Sequence, residues 1–279
     1  MSINYQDGYL SQTTLGRIKD GDGMKLILKG LSKLKGLIIP ALIIAVWLLQ
    51  GDSRPPALLP SFVSTMEALR EMLGNGMMQN AWWHSMQRIL IATGISVAIS
   101  IPLGLLSRSF KIVKEIVTPF TNFMRYIPVT TFYPLLIVWM GIDEEMRIAF
   151  LFVATFFVFF PSVMLILENI NAGLIEKALT SGANRWKMML HVYIPAAAPL
   201  LCKSFLSMFS VGFTYMIIAE TVNPRYGLGY LMLIGSARGR TNIVFAAIIV
   251  TIVTGAAIDI IGNAIIRKAF RWHTETTKQ

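Results

Sequence analysis

Apolar residues run nearly unbroken for about twenty positions at a time, and the polar residues gather between the runs. Six such segments fall at residues 31–49, 82–106, 119–140, 148–167, 196–219 and 243–266. Each is close to the ~20 residues that an α-helix needs to cross a hydrocarbon core. The runs are continuously apolar instead of alternating, which predicts helices and not a barrel. The pattern therefore predicts an all-α membrane protein with about six transmembrane helices. Two connections carry a pattern of their own. After the turn Pro55-Pro56, residues 60–74 place Phe62, Met66, Leu69 and Leu73 at helical spacing with Ser61 positioned to cap, an amphipathic helix suited to the outer interface. Residues 223–230 form a Gly/Pro-punctuated turn before a short helix.

Composition supports lipid as the solvent. Of the 279 residues 54% are hydrophobic and 14% charged, against roughly 25% charged in ordinary soluble domains. A polar tail over residues 1–30, one transmembrane bundle over 31–270 and a second tail over 271–279 are expected. Residues 1–23 have no apolar core and no small-residue cleavage site, so they do not read as a signal peptide. The net charge of +10 would suit nucleic acid, but the basic residues sit at the ends of the spans. With the N-terminus inside, sixteen fall on the cytoplasmic side: six from Arg17 to Lys35, then Arg108, Lys111 and Lys114, Lys177, Arg185 and Lys187, and Arg267, Lys268, Arg271 and Lys278. Six fall outside, where Asp143, Glu144 and Glu145 also cluster. This asymmetry predicts both termini in the cytoplasm and removes the reason to invoke nucleic acid. The single Cys202 and the dispersed His84, His191 and His273 offer no metal-ligand spacing.

One charged segment, about residues 168–195, interrupts the apolar pattern on the predicted inner side. Glu176 to Ser181 reads as one short helix and Asn184 to Val192 as another, with Gly182 free to make the bend between them. Arg185, Trp186 and Lys187 are residue types that anchor interfaces. Pro195 is expected to end the second helix, leaving Pro199 in the first turns of the fifth span. The residues alone leave two readings open, a solvated basic loop or a docking element for something in the water.

The sequence then adds a resemblance. Glu176-x-Ala178, Gly182 four residues on, and Ile194-Pro195 twelve beyond the glycine resemble the coupling loop of ABC-importer permease subunits; Lys177 stands where that pattern has a second alanine. Ser85-x-x-Arg88, Ile101-Pro102-Leu103-Gly104, Arg125-x-Ile127-Pro128, Trp139-x-Gly141, Ala219-Glu220 and Gly227-Leu228-Gly229 look like the nitrate/sulfonate/taurine branch. The resemblance implies a type I, MetI-like permease bundle in a bacterial inner membrane. It implies Glu176, Ala178, Gly182, Ala183, Arg185 and Trp186 as the contact to two ATP-binding subunits, which would hold the ATP and Mg, so that this chain needs no cofactor. A second permease copy and a periplasmic or lipid-anchored solute-binding protein complete the implied assembly. The implied cargo is an oxyanion or organosulfonate such as nitrate, bicarbonate, sulfonate or taurine.

Charge inside a span costs about 2.5–3.5 kcal/mol at a helix centre on insertion scales, so Arg88, Arg125, Lys203 and Glu220 are candidates for function. Arg88 and Glu220 lie near outer ends of spans and Lys203 near an inner end, where a long side chain can reach the interface. Arg125, followed by Pro128 and Pro134, is the candidate for lining or gating the pathway, together with Pro128, Thr130, Thr131 and Glu220. An ion pair between Arg125 and Glu220 across the pathway is one expectation; a structural pair or an interfacial anchor is the other. The run Phe150, Phe152, Phe156, Phe157, Phe159 and Phe160 reads as packing and lipid contact. No lysine follows a glycine, so the chain lacks a Walker A loop, and an ATPase must be a separate subunit. A stand-alone secondary transporter would be expected to show two related halves, and no such repeat is visible.

Overall fold

The computed structural model describes residues 38–51, 55–56, 58–124, 126–222 and 225–272. The expected N-terminal tail, the first residues of the first span, Arg125, the Asn223-Pro224 part of the punctuated turn and residues 273–279 lie outside the described residues. The chain divides into two units at Phe62. In the first, α1 (Ile38–Gln50) is a short apolar helix. The indole of Trp47 donates to Pro60 O at 2.9 Å and meets the Phe62 ring edge-on at 5.4 Å, which closes the turn after it.

The second unit begins at Val63 and holds α2 (Phe62–Gly74) beyond its first residue, α3 (Met77–Ser109), α4 (Lys111–Met124), α5 (Phe132–Met140), α6 (Glu144–Glu168), α7 (Ala172–Thr180), α8 (Arg185–Ala219), α9 (Leu228–Ala237) and α10 (Thr241–Ala269). Among them α3, α6, α8 and α10 are each long and apolar enough to cross a membrane. The segment expected as a single span over 119–140 is broken instead: α4 and α5 meet at 88° around a 3₁₀ turn at Val129–Thr131. The cause is Pro128, extended at φ −65° and ψ 116°, which has no N–H to give and pushes the preceding residue out of the helical region.

Two further expectations are corrected. Pro195 does not end a helix. Residues from Arg185 run continuously into the fifth span, because a wider π turn over Met189–Tyr193 takes up the proline just before it enters. On α2 the buried residues are Thr65, Ala68 and Met72, one step around from the expected apolar stripe, and Phe62 and Leu73 stay exposed. In lipid an apolar stripe has no need to turn inward, so the smaller face packs.

That logic also governs the core. Lipid tails are as apolar as leucine, so helices associate through close contact and hydrogen bonds between them. Ala92, Ser96, Ser100 and Gly104 put a small residue on every fourth position of α3, all buried and on the side of α6. Ser96 Oγ and Thr155 Oγ1 share a hydrogen bond of 2.7 Å across that seam. A Cβ on Gly104 would stand 2.6 Å from Val163 Cγ1. The phenylalanine run fills the bundle: Phe150, Phe159 and Phe160 are fully buried, and Phe156 stacks on Phe160 at 5.2 Å. By contrast, the buried residues of α10 are Ala246 and Ala247 alone.

Candidate functional site

Motifs that are far apart in the sequence meet at one end of the bundle. Ser85 and Arg88 come from the first turns of α3, Glu144 and Arg147 from the start of α6, and Glu220 caps the C-terminus of α8. Glu220 is 1% exposed. Its Oε1 accepts from Ser85 Oγ at 2.7 Å and from Arg88 Nη1 at 2.6 Å, and its Oε2 accepts from the Gly229 amide at 2.8 Å. Ser85 Oγ in turn accepts from the Leu228 amide at 2.9 Å. Arg88 Nη1 also donates to Tyr226 O at 3.0 Å, while its Nε and Nη2 grip the Glu144 carboxylate, the latter at 3.0 Å. Arg147 donates to the same carboxylate at 2.9 Å and to Val222 O at 3.1 Å.

Two glycines make room for this carboxylate. Gly227 has φ +134°, and a Cβ there would run into the Glu220 carboxylate; a Cβ on Gly229 would lie 2.9 Å from Glu220 Cβ. The turn before α9 is thus wrapped around a buried acid and tied to α3, α6 and α8 at once. Beside it, Arg88, Arg147, His84, Asp143, Arg225 and Tyr226 help line a cavity of about 470 Å³.

The opposite, basic end carries the loop segment. Asn171 Oδ1 accepts from Gly173 N at 2.8 Å and starts α7. The helix closes on Gly182 at φ +74°, with Ala183 N donating to Ala178 O at 3.0 Å and Gly182 N to Leu179 O at 2.9 Å, the paired bonds of a Schellman ending. Asn184 then caps α8 by accepting from Lys187 N at 2.9 Å. Ala178 and Ala183 turn inward onto the cluster around Met188, Met189 and Tyr193. Glu176 and Arg185 face out, and Leu174, Leu179, Trp186 and Leu190 are between 48% and 59% exposed. Phe110, at the end of α3, holds the turn by meeting Trp186 edge-on at 6.2 Å and lying under Arg185 at 5.3 Å.

Among the described residues, the other candidates from the sequence lie apart from this cluster. Pro128, Thr130 and Thr131 are exposed on the 3₁₀ turn, where Thr131 Oγ1 donates back to Pro128 O at 2.7 Å. Arg125 lies outside the described residues. Both oxygens of Glu220 are engaged by Ser85, Arg88 and Gly229 within this chain. Lys203 lies in the middle of α8, which extends from Arg185 to Ala219. Sequence reading missed Glu144 as the second partner of Arg88, and it missed Asp259, an exposed carboxylate within α10. A search for every ionisable residue inside an apolar run would have found Asp259.

Residues 96–271 match the family described as binding-protein-dependent transport system inner membrane component. The chain belongs to this family. Its members with similar sequences include the aliphatic sulfonates transport permease protein SsuC of Bacillus subtilis, 25% identical over 241 residues that cover 86% of this chain and 87% of that one. The taurine transport system permease protein TauC of Escherichia coli is 26% identical over 225 residues, covering 79% of this chain and 82% of that one. The fold is that of the permease in inward-facing crystals of the MetNI methionine ABC transporter, with a TM-score of 0.61 at 20% identity over 68% of this chain and 94% of that one. A bacterial ABC transporter for the polysaccharide alginate gives a TM-score of 0.55 at 17% identity over 91% of this chain and 99% of that one. The protein is an ABC-importer permease of the bacterial inner membrane, all-α and multi-pass.

Proposed function

We propose that this permease carries a small organosulfonate or related oxyanion, handed over by an external solute-binding protein, and that a separate ATPase drives it through the basic end. The observation that carries the reading is the loop itself. A helix capped at Asn171 and closed at Gly182 offers Leu174 and Leu179 to the surroundings, and the start of α8, braced by Phe110, offers Trp186. A mobile solvated loop has no use for two caps and a left-handed glycine; a surface that transmits force to a partner needs them. The sulfonate and taurine permeases among its relatives support the cargo class. The basic end faces the cytoplasm in this reading, in keeping with the distribution of lysine and arginine. Two copies of the chain with two ATP-binding subunits form the transporter.

The test is reconstitution. The permease, co-expressed with ATPase and binding-protein candidates, is purified by a tag on this chain and assayed for ATP-dependent uptake of taurine, short alkanesulfonates, nitrate and bicarbonate. Stoichiometric recovery of an ATPase subunit and uptake that needs ATP are expected. Uptake driven by an ion gradient with no ATPase present would overturn the reading.

A further inference from the structure

α8 carries Lys203, Ser207, Ser210 and Thr214, all exposed and spaced four, three and four residues apart, so they form one line along a single face. At 1.5 Å per residue, Lys203 is about 24 Å from the Ala219 end of the helix and about 27 Å from its start, in the middle of the rod. Among the described residues none of the four has a hydrogen-bond or ion-pair partner on another helix. The hydroxyls of Ser207 and Ser210 only bond back to Lys203 O at 3.5 Å and Leu206 O at 3.2 Å, which leaves their oxygens able to accept. On α10, Asp259 is exposed and takes a hydrogen bond of 2.9 Å from Asn263 Nδ2.

These two groups share a side of the bundle. α8 and α10 run antiparallel and touch where the Leu206 side chain lies against Gly262. At about 100° per residue, the line on α8 turns about 40–100° from Leu206, and Asp259 and Asn263 turn about 60–100° from Gly262. In an antiparallel pair both turn to the same flank. It is the flank away from α3, whose Trp82 donates to Thr254 at 3.0 Å and whose Ile89 packs on Gly212. The large exposed hydrophobics of α10 are Ile248, Ile252, Val253, Ile260, Ile261 and Ile265; Ile248 and Ile252 continue the flank of Asp259 toward the start of the helix, so its polar part is the stretch from Asp259 to Asn263.

We propose that this flank is one wall of a water-filled passage, with Lys203 drawing a small anion into it. The inference rests on the permease reading above and adds where the solute travels. A cation and three hydroxyls in register have no partner in lipid, whereas in a passage they replace part of the hydration shell of an oxyanion. Asp259, steadied by Asn263, gives the same passage an acceptor for the solute's hydrogen-bond donors.

The experiment uses the assembled transporter in membranes, with Cys202→Ser as background and single cysteines at Ser207, Ser210, Thr214 and, as a lipid-face control, Ile260. The probes are two hydrophilic thiol reagents, sulfonatoethyl and trimethylammonioethyl methanethiosulfonate. Ser207→Cys, Ser210→Cys and Thr214→Cys are expected to react about tenfold faster or more than Ile260→Cys, because only a hydrated thiol ionises readily. Lys203→Gln is expected to lower the anionic-to-cationic rate ratio at position 207 by about threefold or more, the effect of removing one nearby unit charge. Rates equal to the control overturn the passage, and an unchanged ratio overturns the role of Lys203. Capture of the ATPase subunit is scored on the same preparations. If capture persists while labelling fails, this wall assignment falls and the importer reading stands.

Discussion

Removing the Glu220 carboxylate leaves Ser85, Arg88 and the Gly229 amide without the acceptor they share. Breaking a buried pair from one side costs about 3–5 kcal/mol, so Glu220→Ala is expected to lower the thermal unfolding temperature in detergent sharply. Glu220→Gln, which keeps an acceptor for Gly229, should lower it less. Arg88→Ala should also be severe, although Glu144, half-exposed, can turn to water. In the double variant the losses should be smaller than their sum, the signature of partners in contact; strict additivity would mean that the two side chains act independently. Gly227→Ala should resemble Glu220→Ala, since its methyl group takes the carboxylate's place. The sequence displayed every one of these residues, yet their meeting was hidden. Arg88 and Glu220 are 132 positions apart, and periodicity reports which face a residue occupies without naming what lies across from it. Sequence alone pairs Glu220 as readily with Arg125, the other charge it places near the pathway.

Helical segments were legible wherever the run was long. The spans expected at 82–106, 148–167 and 243–266 lie inside α3, α6 and α10, helices that run one to five residues further at each end. What failed was the reading of proline. Pro128 breaks a span that hydropathy shows as whole, while Pro195 passes into α8 because the π turn before it opens the ladder. Hydropathy counts apolar atoms; whether a proline breaks or bends depends on the hydrogen-bond register just upstream. The loop at the basic end yields a sharper prediction. Gly182 has open space where a Cβ would stand, so substitution there costs backbone conformation and not clash. Gly182→Ala should loosen the turn by about 1–2 kcal/mol, and Gly182→Asn by less. Neither should alter membrane insertion. Gly182→Asp adds charge to the docking surface, and capture of the ATPase is expected to fall below detection. Stoichiometric capture by Gly182→Asp would remove this turn from the interface. Within the bundle, Gly104→Leu should separate α3 from α6, seen as loss of a monodisperse peak in size exclusion, because Val163 is already in contact.

For the molecule as a whole, composition and hydropathy sufficed to assign it to a membrane, since 14% charged residues cannot solvate 279 positions as a soluble surface does. Orientation rests on lysine and arginine counts, which a labelling experiment tests. Glu145→Cys, exposed and outside the Arg88 network, should react with impermeant maleimide from the outer side of intact cells. Lys187→Cys should react only in inverted vesicles. The reverse pattern would invert the molecule.

α8 is one unbroken rod from the loop at Arg185 to the cap at Glu220. A rod conveys rotation to its far tip in proportion to its length. With the π turn as fulcrum, some 30 residues of arm reach about 45 Å, and a tilt of about 5° carries Ala219 through roughly 4 Å. That arc exceeds the length of a hydrogen bond, so Ser85, Arg88 and Gly229 cannot stay in place while Glu220 swings. Either the four elements clamped there turn together as one block, or the clamp opens, and a stroke begun at the loop is delivered in full only in the first case.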